Sequence, residues 1–157
     1  MQKEFTVEFI KENCGCYNKE GDLSLLGEAF FFNNKECCYN DNSCIITALE
    51  IANSIIPLKD KYWFFCYNIF SKEQSQQIVT QVTEAVLPLF EEKGPEDLRH
   101  RKATKIYKAV RDDYAVRDTA YYTVATAVEY FTNYSWDAEQ EYSKLAQQTL
   151  IDFINNN

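Results

Sequence analysis

This 157-residue sequence has one histidine, only four glycines and three prolines, and no long apolar run. So few glycines and prolines disfavour a turn-rich β-sandwich or barrel, and they favour helices joined by short connections. Every histidine-dependent catalytic triad would have to use His100. Because Arg99 and Arg101 flank this histidine and would disfavour its protonated form, we expect a surface or capping residue and not a base.

Sequence motifs of the common catalytic classes are absent as well. The chain contains no P-loop, no glycine-rich dinucleotide-binding turn, no nucleophile elbow and no metalloprotease motif. The acid pairs Glu91–Glu92 and Asp112–Asp113 point in diverging directions on a helix, so they are interpreted as solvated charges. We therefore expect a non-enzymatic protein that needs no cofactor.

The amino-terminal residues lack an apolar signal core, and no segment approaches the ~18 apolar residues of a membrane span. These two absences predict a cytoplasmic protein without membrane contact. Six cysteines lie in the first 66 residues: Cys14, Cys16, Cys37, Cys38, Cys44 and Cys66. In the cytoplasm they are expected to be reduced and buried. Two alternatives stay open, namely a zinc site built from Cys14, Cys16, Cys37, Cys38 and Cys44, and a disulfide framework in an oxidising compartment.

Charge is unevenly distributed along the chain. The net charge is −8 and the isoelectric point is about 4.7, yet eight of the sixteen lysines and arginines lie between Lys93 and Arg117. An acidic protein is poorly suited to contacting nucleic-acid phosphates directly. The negative charge fits either plain solubility or attraction to a basic protein partner, such as a basic toxin or a nuclease. The sequence does not indicate an oligomeric state.

Helical periodicity predicts an all-α single domain over residues 1–157, a bundle or stack of about seven helices in which a cysteine-rich part, 1–66, packs on a helical part, 71–155. The first helix is predicted over 3–12, and a later one is capped by Ser43 and carries Ile45, Leu49, Ala52 and Ile56 at helical spacing. The other predicted segments are 22–33, 59–70, a helix from Ser71 to Gly94, a basic helix from Glu96, an alanine-rich helix from Asp118 or Thr119, and a last helix after Ser135.

Several local signals mark the helix that starts at Ser71 and the last helix. Ser71 and Gln74 match a capping box, Pro88 is expected to kink its helix or mark the last turn, and Gly94–Pro95 is a stop signal. The core-facing stripe of this helix is predicted to hold Ile78, Val82, Ala85, Val86 and Leu89. In the last helix the predicted stripe holds Tyr142, Leu145, Ala146, Leu150, Phe153 and Ile154, and the Asn155–Asn157 tail is expected to fray.

The segment Val86 to Glu91 and the following Pro95 to Ala103 carry a recognisable pattern. A Val-Leu-Pro run ends one helix, and Pro-x-Asp-x-Arg-x-Arg opens the next through Pro95, Asp97, Arg99 and Arg101. This pattern resembles that of the immunity-five-like putative immunity proteins of bacterial toxin systems, in which His100 would be a proline. The resemblance covers roughly residues 63–131 and implies a helical fold and a role in neutralising a toxin effector by direct binding.

The chemistry of this motif leaves two interpretations open. Asp97 near a helix start accepts backbone N–H bonds, and Arg99 and Arg101 suit bidentate contacts with carboxylates. These groups either lock the turn to acids on the preceding helix or face a protein partner. Two other functions also stay open: an acidic phage or mobile-element inhibitor of a host defence nuclease, and a small metal- or thiol-dependent module that uses the cysteine cluster.

Overall fold

A computed structural model of the chain describes residues 3–13, 44–54, 56–93 and 136–157. This part is mostly helical, as predicted, and it also contains a short antiparallel sheet. The elements are β1 Glu4–Thr6, α1 Val7–Asn13, β2 Ile45–Thr47, α2 Ala48–Asn53, α3 Leu58–Phe64, the π-helical turn π1 Phe65–Ile69, α4 Lys72–Lys93 and α5 Trp136–Asn156. The predicted helices over 22–33, from Glu96 and from Asp118 fall outside the described residues, so the count of about seven helices and the single-domain bundle stay predictions.

Strands β1 and β2 pair antiparallel and are the main departure from the predicted fold. Phe5 lies opposite Ile46 at the centre of the register, and both side chains are buried. The ladder extends past both strand ends, because the Val7 N–H donates to the Cys44 carbonyl at 3.1 Å and the Ala48 N–H donates to the Lys3 carbonyl at 2.8 Å. The helix predicted over 3–12 is therefore wrong for residues 4–6, which are extended.

The two strands belong to two copies of one local design, which we call the strand–threonine–helix units (residues 4–13 and 45–53). In each unit a three-residue strand ends in a threonine whose hydroxyl accepts a bond from the third residue after it, Phe9 N to Thr6 Oγ1 at 3.1 Å and Glu50 N to Thr47 Oγ1 at 3.2 Å. Such a bond satisfies a backbone donor that the first turn of a helix leaves without a partner. The paired units are therefore related by an approximate two-fold axis through the Phe5–Ile46 pair.

Thr47 is the more completely satisfied of the two caps. Its N–H donates to Glu50 Oε2 at 2.7 Å, which closes a full capping box. The predicted start of this helix, capped by Ser43, is therefore wrong. Residues 45–47 form a strand, and α2 begins only after Thr47.

Replacing Thr47 with valine should lower the free energy of unfolding by about 1–2 kcal/mol, because the substitution keeps the side-chain shape and removes the capping oxygen. Urea unfolding followed by circular dichroism measures the change. Thr149→Val is the matched control, since the Thr149 hydroxyl only donates to the Leu145 carbonyl within α5. An equal loss in both variants would contradict the capping role.

Helix α3 continues into π1, which confirms a helix for residues 59–69 of the predicted segment, whereas Phe70 has extended backbone. The Phe70 N–H donates to the Phe65 carbonyl at 2.7 Å, the five-residue step of a π-helix. The wider turn keeps Tyr62, Phe64, Phe65 and Cys66 buried together. It also stacks Phe65 on Phe70, with ring centroids 5.3 Å apart. Periodicity alone did not indicate a π-turn, because this apolar run is too continuous to show a period.

The core lies where α4 packs on α5, with α2 and α3 also against α5. Helix α4 starts at the predicted capping box, in which the Gln74 N–H donates to Ser71 Oγ at 3.2 Å and the Ser71 N–H donates to Gln74 Oε1 at 3.0 Å. It continues past Pro88 to Lys93, immediately before the predicted stop at Gly94. The predicted core-facing stripes of α4 and α5 are buried, except for Ala85 and Leu145, which lie at the margins of the stripes and are exposed.

The carboxyl end of α5 differs from its predicted fraying. The helix continues to Asn156, and asparagine side chains cap its last turn, with Asn156 Nδ2 donating to the Asp152 carbonyl at 2.8 Å and Asn157 Nδ2 to the Phe153 carbonyl at 2.9 Å. Phe153 itself meets Phe70 edge-on at 5.1 Å. This contact ties the last turn of α5 to the end of π1.

Candidate functional site

Most of the residues that the sequence singled out lie outside the described residues. These are Pro95, Asp97, Arg99, His100 and Arg101 of the motif, and Cys14, Cys16, Cys37 and Cys38 of the candidate zinc site. Whether the two arginines lock the turn or face a partner stays open. Of the candidate site residues, only Cys44 is described.

Cys44 is disulfide-bonded, and its partner lies outside the described residues. A disulfide sulfur cannot serve as a thiolate ligand, so the candidate zinc set that includes Cys44 is wrong for this residue. The expectation of reduced cysteines is likewise wrong for Cys44, whereas Cys66 fits it as a buried thiol that forms no disulfide. Within the described ranges, no group of three or more His, Cys, Asp or Glu side chains is placed to hold a metal ion.

Lys61 on α3 is the most unusual charged group of the described part, because only 2% of its surface is exposed. Its Nζ donates to the Ala52 carbonyl at 2.8 Å and to the Ser54 carbonyl at 2.6 Å, where α2 ends. Burial lowers the pKa of this amine from 10.5 to about 8, since a charged group loses its hydration in the interior. Both contacts are with backbone atoms, so Lys61 joins α3 to the end of α2.

Two buried tyrosines lie where α3 meets α5. Tyr62 Oη donates to the Ala146 carbonyl at 2.8 Å, and burial raises the pKa of both Tyr62 and Tyr142 because it disfavours the phenolate. The nearby Tyr142 and Cys66 raise the pKa of Tyr62 further. Phenols held neutral and enclosed in this way are packing and anchoring groups.

The outward side of α3 and π1 combines aromatic rings with a carboxylate. Trp63 and Tyr67 stack with centroids 5.3 Å apart and ring planes 26° apart, and both are partly exposed. Asp60 and Lys59 lie on the preceding turn. We call these four residues the α3 outer face. Lys61, Tyr62 and Phe64 of the same helix are buried, and Trp63 itself packs partly against the hydrophobic core.

Asp60 on this face lacks the contacts that usually compensate a half-buried carboxylate. It accepts no hydrogen bond and forms no ion pair within the part of the chain that the structure describes. Burial raises the pKa of its carboxyl group, and the attraction of neighbouring Lys59 opposes this rise with a smaller effect. The sequence prediction did not single out Asp60. The spacing of Asp60, Trp63 and Tyr67, at steps of three and four residues, is the signal that would have placed them on one face.

The exposed charges of the described part are predominantly acidic. Seven exposed acids compare with three exposed bases, Lys3, Lys59 and Lys144. The acids are Glu4, Glu8, Glu73, Glu84, Glu92, Glu141 and Asp152. Most of them lie on α4 and α5, the two longest helices.

None of the described helices is long and apolar enough to cross a membrane. Comparisons with protein-family models, with curated proteins and with solved structures gave no significant match to this chain.

Proposed function

We propose that this protein is a non-enzymatic binding protein that neutralises a basic toxin effector by direct contact. One observation carries the proposal, namely the excess of exposed acids over exposed bases in the described part. A surface of one sign raises the rate at which an oppositely charged protein associates, and it disfavours partners of the same sign. The net charge of −8 over the whole chain supports the same choice of partner.

The buried ionisable groups described above are consistent with binding and do not assemble a reaction centre. Lys61 donates hydrogen bonds to two backbone carbonyls, and Tyr62 donates a hydrogen bond to a backbone carbonyl of α5. A general acid or base has to reach the proton that it transfers, within about 3 Å or through one water. Enclosed groups such as these instead hold α2, α3 and α5 together and keep the charged surface in place.

The compartment in which the protein acts belongs to the same proposal. The cytoplasmic location expected from the sequence stays a prediction, and the disulfide at Cys44 argues against it. Disulfides persist in oxidising compartments and are rare in the cytosol. Outside the cytoplasm, this protein would bind a toxin while its Cys44 is disulfide-bonded.

The test is protection of cells that express the product of an adjacent gene, together with co-purification of the two proteins. We expect the pair to co-purify at low salt and to associate more slowly as NaCl rises from about 0.05 to about 0.5 M, since salt screens the exposed charges that raise the association rate. The double variant Glu84→Lys and Asp152→Lys should associate at least about tenfold more slowly. Gln77→Ala with Gln81→Ala, two exposed uncharged positions on α4, is the matched control.

Lack of protection against every adjacent gene product would overturn the proposal. Binding that is insensitive both to salt and to the charge-reversing pair would overturn its electrostatic basis. If the partner proves to be a host defence nuclease encoded elsewhere, the phage-inhibitor function considered from the sequence replaces toxin neutralisation.

A further inference from the structure

The α3 outer face joins two kinds of group that rarely lie together on a surface without a ligand. One is the stacked pair Trp63–Tyr67, whose rings are partly exposed. The other is the carboxylate of Asp60, which is half-buried and lacks a hydrogen bond in the described part. On a helix, residues three and four apart lie on the same side, so Asp60 lies one turn before Trp63 on the side that also carries Tyr67.

We propose that the α3 outer face binds an arginine side chain of a basic protein partner, with the guanidinium stacked against the Trp63–Tyr67 pair and hydrogen-bonded to the Asp60 carboxylate. This proposal names the partner's side chain and rests on the proposed function for the basic character of that partner. The occupant follows from charge complementarity, because the described surface is acidic and a cation satisfies both components of the face.

Each component favours arginine for a separate physical reason. The faces of aromatic rings attract cations, most strongly at tryptophan, and a guanidinium is planar and stacks on them. A carboxylate accepts two parallel N–H bonds from a guanidinium, a geometry that a lysine ammonium cannot match. A neutral sugar would use the rings but would leave the Asp60 charge uncompensated.

The unbound state supports the assignment as well. Asp60 gains little from the fold around it, since burial raises the pKa of its carboxyl group and only exposed Lys59 acts against that rise. A partly buried carboxylate without donors costs stability in the free protein. An incoming guanidinium would remove this cost upon binding. The free energy of binding would therefore be more favourable at Asp60 than at a fully solvated acid.

The test is a fluorescence titration with a synthetic hexa-arginine peptide. Trp63 and Trp136 are the two tryptophans, so Trp136→Phe leaves Trp63 as the only indole emitter. In this background we expect hexa-arginine to change the Trp63 emission with saturation, and hexalysine to bind more weakly. Asp60→Asn should weaken hexa-arginine binding by about tenfold, and isothermal calorimetry of Trp63→Leu should show a loss of about threefold.

Glu141→Gln is the matched control, because it removes the same charge from an exposed position on α5. It should change the affinity by less than about twofold. Equal losses in Asp60→Asn and Glu141→Gln, or equal affinity for hexalysine and hexa-arginine, would overturn the proposed site. Thermal unfolding of every variant separates loss of binding from loss of folding.

This titration contains no toxin, and the protection assay contains no peptide, so the two proposals fail independently. Saturable, Asp60-dependent binding of hexa-arginine without cellular protection would keep the arginine site and overturn toxin neutralisation. Protection by a protein that carries Asp60→Asn and Trp63→Leu, with unchanged affinity for the toxin, would keep the function and overturn the site.

Discussion

Raising the pH from about 8 to about 9.5 is expected to stabilise the wild-type protein relative to Lys61→Met by about 2 kcal/mol. In the folded protein the Lys61 amine has a pKa of about 8, whereas in the unfolded chain it has the ordinary value of 10.5. Between these two values the unfolded state carries a proton that the folded state has released. Stability therefore rises with pH across this window, and below it the fold carries the cost of a buried ammonium.

The measurement is urea unfolding at several pH values between about 7.5 and 9.5, with Lys59→Met as the matched control. Lys59 is exposed and lies two residues before Lys61, so its removal should leave the pH slope of the wild-type protein in place. Higher pH is avoided because Tyr62 and Tyr142 act in the opposite direction. Burial raises the pKa of each phenol, so the unfolded chain loses these protons first and stability falls with pH. Identical slopes in Lys61→Met and wild type would contradict the burial of a titrating amine.

Reduction with dithiothreitol, or the substitution Cys44→Ser, is expected to lower the free energy of unfolding by about 2–4 kcal/mol. Cys44 directly precedes β2, and its carbonyl accepts the bond from Val7 that extends the sheet. A covalent link at this position limits the conformations of the unfolded chain, and its loss restores them. Thermal unfolding with and without reductant measures the effect.

Alkylation under denaturing conditions, followed by peptide mapping, identifies the bonded residue directly. Cys44 should be labelled only after reduction, whereas the thiol of Cys66 should be labelled with or without reductant and so serves as the internal control. Complete labelling of Cys44 without reductant, together with unchanged thermal unfolding in reductant, would contradict the disulfide. It would also restore the cytoplasmic location as the simpler expectation.

The parts of the fold that the sequence predicted well are those determined by interactions between residues close together in the sequence. Helix α4 starts at a capping box that Ser71 and Gln74 show in the sequence, and the buried stripes of α4 and α5 recur at helical spacing. Ala85 and Leu145 lie at the margins of these stripes, where periodicity does not separate an inward from an outward position. The cap at Thr47 was missed because Ser43 has the same chemistry four residues earlier.

The parts that the sequence did not predict depend on contacts between distant segments. Strands of three residues are too short to show alternation, and only the pairing of Phe5 with Ile46 makes them extended. Lysine in an amphipathic helix is usually exposed, so nothing local marks Lys61 as buried among carbonyls. The spacing of cysteines does not reveal which of them are bonded. Asp60 and Trp63 look like ordinary helix residues until the partial exposure of both side chains, and the lack of a hydrogen bond to the Asp60 carboxylate in the described part, are known.

The approximate two-fold axis of the strand–threonine–helix units has a consequence for how molecules of this protein pair with one another. Because the units share their strand length, burial pattern and threonine cap, β1 of one molecule is a near-equivalent partner for β1 of another, with Phe5 opposite Phe5 in place of Ile46. The native pairing is favoured because both units belong to one chain, which gives them a mutual effective concentration on the order of millimolar. Protein held well above that concentration while unfolded would favour strand exchange between chains, so dilute refolding is the condition that favours pairing of β1 with β2 of the same chain.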